Sequence, residues 1–260
     1  MKKLIVIAGP CVVESAELLK VTASKLIELR DKYNFELIFK SSYRKANRTS
    51  SNSFEGIGDE KALSYLKMIK DEFNVPVITD IHTPEEARIA SQYVDILQIP
   101  AFLCRQTDLL QAAAKTGLKI NIKKGQFLPP DKIKGAIDKV TSAGNNQIMI
   151  SERGSFFGYN DLVVDFRSIP IMKKFGYPVI FDATHSLQQP SIGEESGGRK
   201  EFVRDLTRAA IAIGVDGIFF ETHPEPEIAK SDAATQIKLD NVEVYIKEAT
   251  MLYEFVSNNI

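Results

Sequence analysis

The chain has 260 residues, 44% of them hydrophobic and 26% charged, with a formal net charge of −1. This is the make-up of an ordinary soluble globular protein, long enough for one large core. A near-neutral balance excludes any general attraction to nucleic acid or to an anionic membrane surface, so a charged ligand must be met by a local cluster.

The opening Met1-Lys-Lys-Leu-Ile-Val-Ile-Ala8 has the look of a signal peptide, but its apolar run is short and Pro10 and Glu14 follow at once. No apolar stretch approaches the roughly 18 residues that a membrane span needs. The two cysteines, Cys11 and Cys104, come without signs of export, so a disulfide is not expected. The reading is a cytoplasmic protein with no nucleic-acid or membrane partner.

Apolar runs and helical patterns then alternate along the chain. The predicted strands are Leu4–Ala8, Glu36–Lys40, Val77–Asp80, Ile96–Ile99, Ile120–Ile122, Gln147–Ser151, Val179–Asp182 and Gly217–Glu221. Between them, Leu18, Leu19, Leu26, Ile27 and Leu29 give one helical face, and Leu63, Leu66, Met68 and Ile69 another. Ser15 with Glu17 opens the first helix, Thr83-Pro84-Glu85-Glu86 opens a later one, and the last runs from about Val242 to Ser257. Eight βα units in about 250 residues is the rhythm of an α/β chain folded as a (β/α)8 TIM barrel, read here as one domain over 1–260. A doubly wound open sheet is the alternative. It would be expected to carry a Gly-rich phosphate turn after the first strand, and Gly9-Pro10-Cys11 is not one.

Two groups of residues cluster at the strand ends, where parallel sheets place ligands. Cys11 follows the first strand, His185 the seventh and Glu221 ends the eighth, while Asp232 lies on the next loop. In a closed barrel these ends are contiguous. One sulfur, one nitrogen and two carboxylates suit Zn2+, Fe2+ or a similar divalent ion such as Mn2+. Each of the four taken alone has a plainer role, Cys11 as a small buried hydrophobe and Asp232 as a helix cap. His223 is the competing imidazole. Basic residues crowd the same rim: Lys40, Arg44, Lys45 and Arg48 on and after the second strand, Arg105 after the fourth, Lys123 and Lys124 at the fifth, Arg153 at the sixth. Because burial disfavours unpaired cations, this local excess argues for a ligand with several anionic groups.

Lys45-Ala-Asn-Arg-Thr-Ser, Gln98-Ile-Pro-Ala-Phe-Leu-Cys-Arg-Gln-Thr-Asp, Asn121-Ile-Lys-Lys-Gly-Gln-Phe and Phe181-Asp-Ala-Thr-His-Ser resemble the 3-deoxy-D-manno-octulosonate 8-phosphate synthases. The likeness runs from Ile7 to about Thr235. It implies a barrel, a homotetramer, and condensation of phosphoenolpyruvate with arabinose 5-phosphate and water. By the same resemblance Cys11, His185, Glu221 and Asp232 are the metal ligands, since metal-independent members carry Asn where this chain has Cys11. Lys123 and Arg153 resemble the phosphoenolpyruvate phosphate contacts, with Lys40, Ser42, Gln98 and Ala101 lining that site. Lys45, Asn47, Arg48 and Thr49 resemble the arabinose 5-phosphate contacts, and Arg105 an arginine lent to a neighbouring subunit. Lys45, Lys123, His185 and Asp232 stand as the catalytic set, His185 also touching substrate.

The family often has Asp before the Lys-Ala-Asn-Arg motif, where this chain has Arg44. The polar segment Gln188 to Gly198 suits a mobile lid. Rival readings are the heptulosonate synthase with erythrose 4-phosphate as acceptor, a Schiff-base aldolase using Lys123 or Lys124, and a non-catalytic sugar-phosphate sensor.

Overall fold

The computed structural model of the protein describes residues 2–46, 54–156, 161–189 and 197–259. Asn47, Arg48 and Thr49 lie outside the described residues, as do 190–196 of the expected lid. Eight parallel strands follow one another round the sheet: β1 (Ile5–Gly9), β2 (Glu36–Lys40), β3 (Val77–Asp80), β4 (Ile96–Ile99), β5 (Lys119–Lys123), β6 (Ile148–Glu152), β7 (Val179–Asp182) and β8 (Gly217–His223). Pairing of β8 with β1, Ile5 beside Gly217 through Gly9 beside Glu221, closes the barrel. The expected strands are all present. The longest extension is in β8, which runs on to His223 because Thr222 and His223 pair with Ile237 and Lys238.

Helices α1 (Ala16–Tyr33), α2 (Asp59–Phe73), α3 (Pro84–Ala90), α4 (Thr107–Lys115), α5 (Lys134–Ser142), α6 (Ser168–Lys173), α7 (Val203–Ala212) and α8 (Val242–Asn259) alternate with the strands. The start signals act as read. The Ser15 side chain accepts from Leu18 N, the Thr83 side chain accepts from Glu86 N, and Pro84 sits in the first turn of α3. Asn34 and Asn74 end α1 and α2 in the left-handed conformation. None of the described helices is long and apolar enough to cross a membrane.

Strand alternation divides the buried residues into two sets. Val6, Ala8, Leu37, Phe39, Val77, Leu97, Ile120, Ile122, Ile148, Ile150, Val179, Phe181, Ile218 and Phe220 pack in the large cluster shared with the helices. Residues of the other parity, Ile7, Ile38, Ile78, Ile96, Met149, Ile180 and Phe219, form a separate plug inside the barrel. Two residues further along the same inward register stand Gly9, Lys40, Asp80, Gln98, Ser151, Asp182 and Glu221, with Asn121 and Lys123 on β5. The interior is therefore apolar below and polar at the carboxyl ends. Gly9, with φ 156°, is needed at this level because a Cβ there would overlap the Lys40 carbonyl.

Candidate active site

The floor of the site is the Phe219 ring, the top of the apolar plug. Lys123 Nζ lies 4.0 Å and Lys40 Nζ 5.5 Å from its centroid, and the His185 ring 5.4 Å. Both lysines are almost fully buried, so each needs an internal partner. Lys40 Nζ donates to Glu221 Oε1 at 2.8 Å and to the Cys11 carbonyl at 3.2 Å. Lys123 Nζ donates to Asp182 Oδ2 at 2.8 Å. Burial lowers the pKa of Lys123, opposed by Asp182 and assisted by Lys40.

One corner gathers the sulfur, imidazole and carboxylates. Cys11, Glu221 and Asp232 each offer an atom within 4.8 Å of the others. Cys11 Sγ is 3.0 Å from Asp232 Oδ2 and 2.9 Å from Ser231 Oγ. His185 Nε2 is 3.5 Å from Glu221 Oε1 and 3.8 Å from Asp232 Oδ2. Its other nitrogen, Nδ1, is 2.9 Å from Asp182 Oδ1, and its backbone N–H donates to the same oxygen at 2.9 Å. The side-chain contact leaves Nε2 directed at the carboxylates, as in a carboxylate-oriented metal-binding histidine. Asp232 has φ 49°, an uncommon conformation that Asp tolerates. Glu221 Oε2 is buried without a hydrogen-bond partner, and such an orphan acceptor is costly unless a cation meets it. Ligands about 2.0–2.3 Å from one ion stand 3–4 Å apart, so Cys11, Glu221 and Asp232 could hold a divalent ion, with His185 Nε2 in reach of the two carboxylates.

A belt of polar side chains crosses the rest of the mouth. Ser42 Oγ and Gln98 Nε2 both donate to Asp80. Asn121 Nδ2 donates to Gln98 Oε1 at 2.8 Å, and Ser151 Oγ to Asn121 Oδ1 at 2.9 Å. Burial opposes ionisation of Asp80, but Lys40, Lys45 and Lys123, with the Ser42 hydroxyl, hold its carboxyl far below the usual range. In Asp182 burial is outweighed by His185, Lys123 and Arg153, and in Glu221 by Lys40, His185 and Lys45. Arg153, also buried, donates from Nη2 to the His185 carbonyl and to Gln188 Oε1, both at 2.8 Å.

Residues 1–255 match the DAHP synthetase I family. The chain belongs to that family. It is 52% identical over 254 residues to a 2-dehydro-3-deoxyphosphooctonate aldolase of Bartonella bacilliformis, covering 97% of this chain and 90% of that protein. It is 51% identical to a protein of the same name from Trichlorobacter lovleyi, covering 96% of this chain and 92% of that one. A Geobacter protein, again so named, is 51% identical over 95% of this chain and 91% of its own length.

In this member of the DAHP synthetase I family, Cys11, Lys40, Ser42, Gln98, Lys123, Arg153, His185, Glu221 and Asp232 come together at the mouth. Ala101 is buried in a short 3-10 turn just past β4. Lys45, half-buried, has its charge near the carboxylates of Glu221, Asp232 and Asp80. Two expectations need correction. Lys124 is not part of the cationic rim: it follows Lys123 with opposite parity, and its Nζ turns away to the Gly125 and Gly154 carbonyls at 3.2 and 3.4 Å, with Glu152 at 3.5 Å. Nor, among the described residues, is there a local excess of cations, because Asp80, Asp182, Glu221 and Asp232 offset Lys40, Lys45, Lys123 and Arg153; Arg48 lies outside that count. His223 sits apart from the corner, 3.6 Å from Glu14 Oε1. Arg105 is exposed on the loop after β4, its carbonyl accepting from Lys139 Nζ at 2.7 Å.

Asp80, Asn121, Asp182 and Phe219 are site residues that strand-end motifs alone did not single out. A signal for three of them was present: Asp80 and Asp182 each stand two residues beyond an inward isoleucine, and Phe219 two residues before Glu221.

Proposed function

We propose that this protein is a 2-dehydro-3-deoxyphosphooctonate aldolase, that is, a 3-deoxy-D-manno-octulosonate 8-phosphate synthase of the metal-dependent class. It condenses phosphoenolpyruvate with D-arabinose 5-phosphate and water, releasing phosphate. The observation that carries the reaction is 52% identity across 97% of the chain to a protein of that name. The metal reading is supported by the Cys11, Glu221 and Asp232 group, with His185 Nε2 3.5 Å from Glu221 and 3.8 Å from Asp232, and by the orphan Glu221 Oε2.

Charge supports the same reading. Among the described residues, four cations offset by four carboxylates leave no surplus for two polyanionic substrates. A divalent ion would restore one, and when bound it would supply Lewis acidity at the sugar's aldehyde or hydroxyl. Lys123 and Arg153 hold the phosphate of phosphoenolpyruvate from one side of the mouth, and Lys45 meets the sugar phosphate from the other. Holding two anions in reacting geometry against their repulsion is the main contribution of these residues. The enol carbon then attacks the aldehyde, water adds at the neighbouring carbon, and phosphate leaves by carbon–oxygen cleavage. Asp182 keeps the His185 ring and the Lys123 ammonium fixed throughout, and the Phe219 floor excludes water from below.

A Schiff-base route is disfavoured, because Lys124 faces away and Lys123 is ion-paired with Asp182. Arg105, exposed on its loop, fits a homotetramer in which it completes a neighbour's phosphate site; light scattering and the Michaelis constant of Arg105→Ala for the sugar test that. The deciding experiment is phosphate release from phosphoenolpyruvate with arabinose 5-phosphate or erythrose 4-phosphate, before and after chelation. Turnover of the five-carbon sugar alone, lost on chelation and restored by a divalent ion, is the expected result. Preference for erythrose 4-phosphate would overturn the substrate, and chelator-insensitive turnover would overturn the metal.

A further inference from the structure

Just before Lys45 the chain is tied to α3 through one carboxylate. Tyr43 Oη donates to Glu86 Oε2 at 2.5 Å, and Arg44 Nη2 to Glu86 Oε1 at 2.6 Å. Arg44 Nη1 also reaches Asp59 Oδ2, in the first turn of α2, at 3.2 Å. Glu86 is buried, and His82 holds it from the other side, its backbone N–H at 2.8 Å and ring Nδ1 at 2.9 Å. The next peptide closes the base of the loop: Lys45 N donates to the Glu55 carbonyl at 2.8 Å. Below, Tyr43 N donates to Thr79 Oγ1 at 3.1 Å, tying the same segment to β3. The backbone leading into Lys45 is thus fixed by bonds to Glu86, Asp59, Thr79 and Glu55.

We propose that Arg44 is a positioning residue for the sugar phosphate: its clamp on Glu86 and Asp59 sets the course of the backbone at Lys45, so that the Lys45 ammonium enters the mouth beside Cys11, Glu221 and Asp232. This rests on the functional reading above, in which Lys45 meets the sugar phosphate. A charged, part-buried hydrogen bond between chain segments constrains direction as well as distance, and a small misplacement of a binding cation is felt strongly at a reacting centre. The electrostatics agree. The carboxylates of Glu221, Asp232 and Asp80 all act on the Lys45 ammonium, which places its charge on their side of the mouth. Among the described residues, the Arg44 guanidinium pairs with Glu86 and Asp59, so losing it should leave the Lys123 and Arg153 side of the mouth intact.

The test is steady-state kinetics of the full-length enzyme with phosphoenolpyruvate and arabinose 5-phosphate. Arg44→Ala is expected to raise the KM for the sugar phosphate about tenfold, allowing for a clamp that is partly open to solvent. Its KM for phosphoenolpyruvate should stay within about twofold, and Arg44→Lys should recover part of the loss. In a Lys45→Ala background the same substitution should change kcat/KM for the sugar by less than about twofold, because the two act as one unit. Equal rises in both KM values, or an undiminished effect without Lys45, would overturn the proposal. Should Arg44→Ala lack a cooperative melting transition, Tyr43→Phe removes only one bond to the same carboxylate. A selective rise of about threefold in the sugar KM then supports the clamp, and an unchanged KM defeats it. Absence of turnover in the unmodified enzyme would instead sink the functional reading.

Discussion

Lys123 Nζ stands 4.0 Å from the centroid of Phe219 and 2.8 Å from Asp182 Oδ2, so a buried ammonium is held between a ring face and a carboxylate. The ring stabilises the cation without neutralising it, which leaves Lys123 able to attract a phosphate. Phe219→Leu keeps the plug apolar but removes the ring face from both Lys123 and Lys40. The expected result is a folded protein with a KM for phosphoenolpyruvate raised about three- to tenfold, the worth of one or two cation–π contacts. An unchanged KM would mean that Asp182 alone sets the position of Lys123.

The Lys40–Glu221 pair has both side chains at or below 1% exposure. Removing one partner of such a pair strands a charge, at a cost of about 3–5 kcal/mol. Lys40→Met should therefore lower unfolding stability by about that amount in urea titrations of the metal-free protein. Adding Glu221→Gln to Lys40→Met should restore more than half of the loss, since the stranded charge is gone. Equal stability of Lys40→Met and the unmodified protein would show that the pair is not formed in solution.

Cys11 supplies the only soft ligand in its corner. Burial, with Asp232 and Glu221, pushes its thiol pKa up, so without a cation the sulfur stays protonated there. Cobalt added to the metal-free protein should give a thiolate charge-transfer band, and Cys11→Ala should abolish it along with most activity. Cys11→Asn puts at this position the residue that the resemblance assigns to metal-independent synthases. It is expected to keep a little turnover that chelators do not touch. A Cys11→Ala enzyme with full activity would remove the ion from the mechanism.

Much of the barrel was legible because its strands are short apolar runs bounded by caps that behave locally, as Ser15 and Thr83 do. The corner of Cys11, His185, Glu221 and Asp232 was legible because β7, β8 and β1 are neighbours in any closed barrel. What could not be read was which carboxylate answers which cation. Lys40 and Glu221 are 181 positions apart, and Lys123 and Asp182 59 apart, so a count of basic strand ends gave a surplus that the described residues do not have. Lys124 failed for a different reason. Adjacent residues on a strand face opposite ways, and that register was available from Ile120 and Ile122 on the outward face.

Glu86 offers a test by pH. Burial would raise its pKa, but the donors of His82 and Tyr43 outweigh it and hold the carboxyl at about 2, against an ordinary value of 4.5. A carboxyl depressed by folding stabilises the native state above its unfolded pKa, and the contribution is lost as pH falls from about 4.5 toward about 2. Glu86→Gln keeps the shape of the side chain but cannot carry the charge, so it should be less stable than the unmodified protein by about 2–3 kcal/mol at pH 7. The difference should shrink through pH 4 and nearly vanish near pH 2. Asp80, Asp182 and Glu221 also lose stabilising charge in acid, but they are common to both proteins and cancel in the comparison. Urea unfolding of the two at pH 7, 5 and 3 measures it. Curves that stay parallel across that range would show that the Glu86 carboxylate is not held by His82 and Tyr43 in solution, and the clamp on Arg44 would lose its anchor.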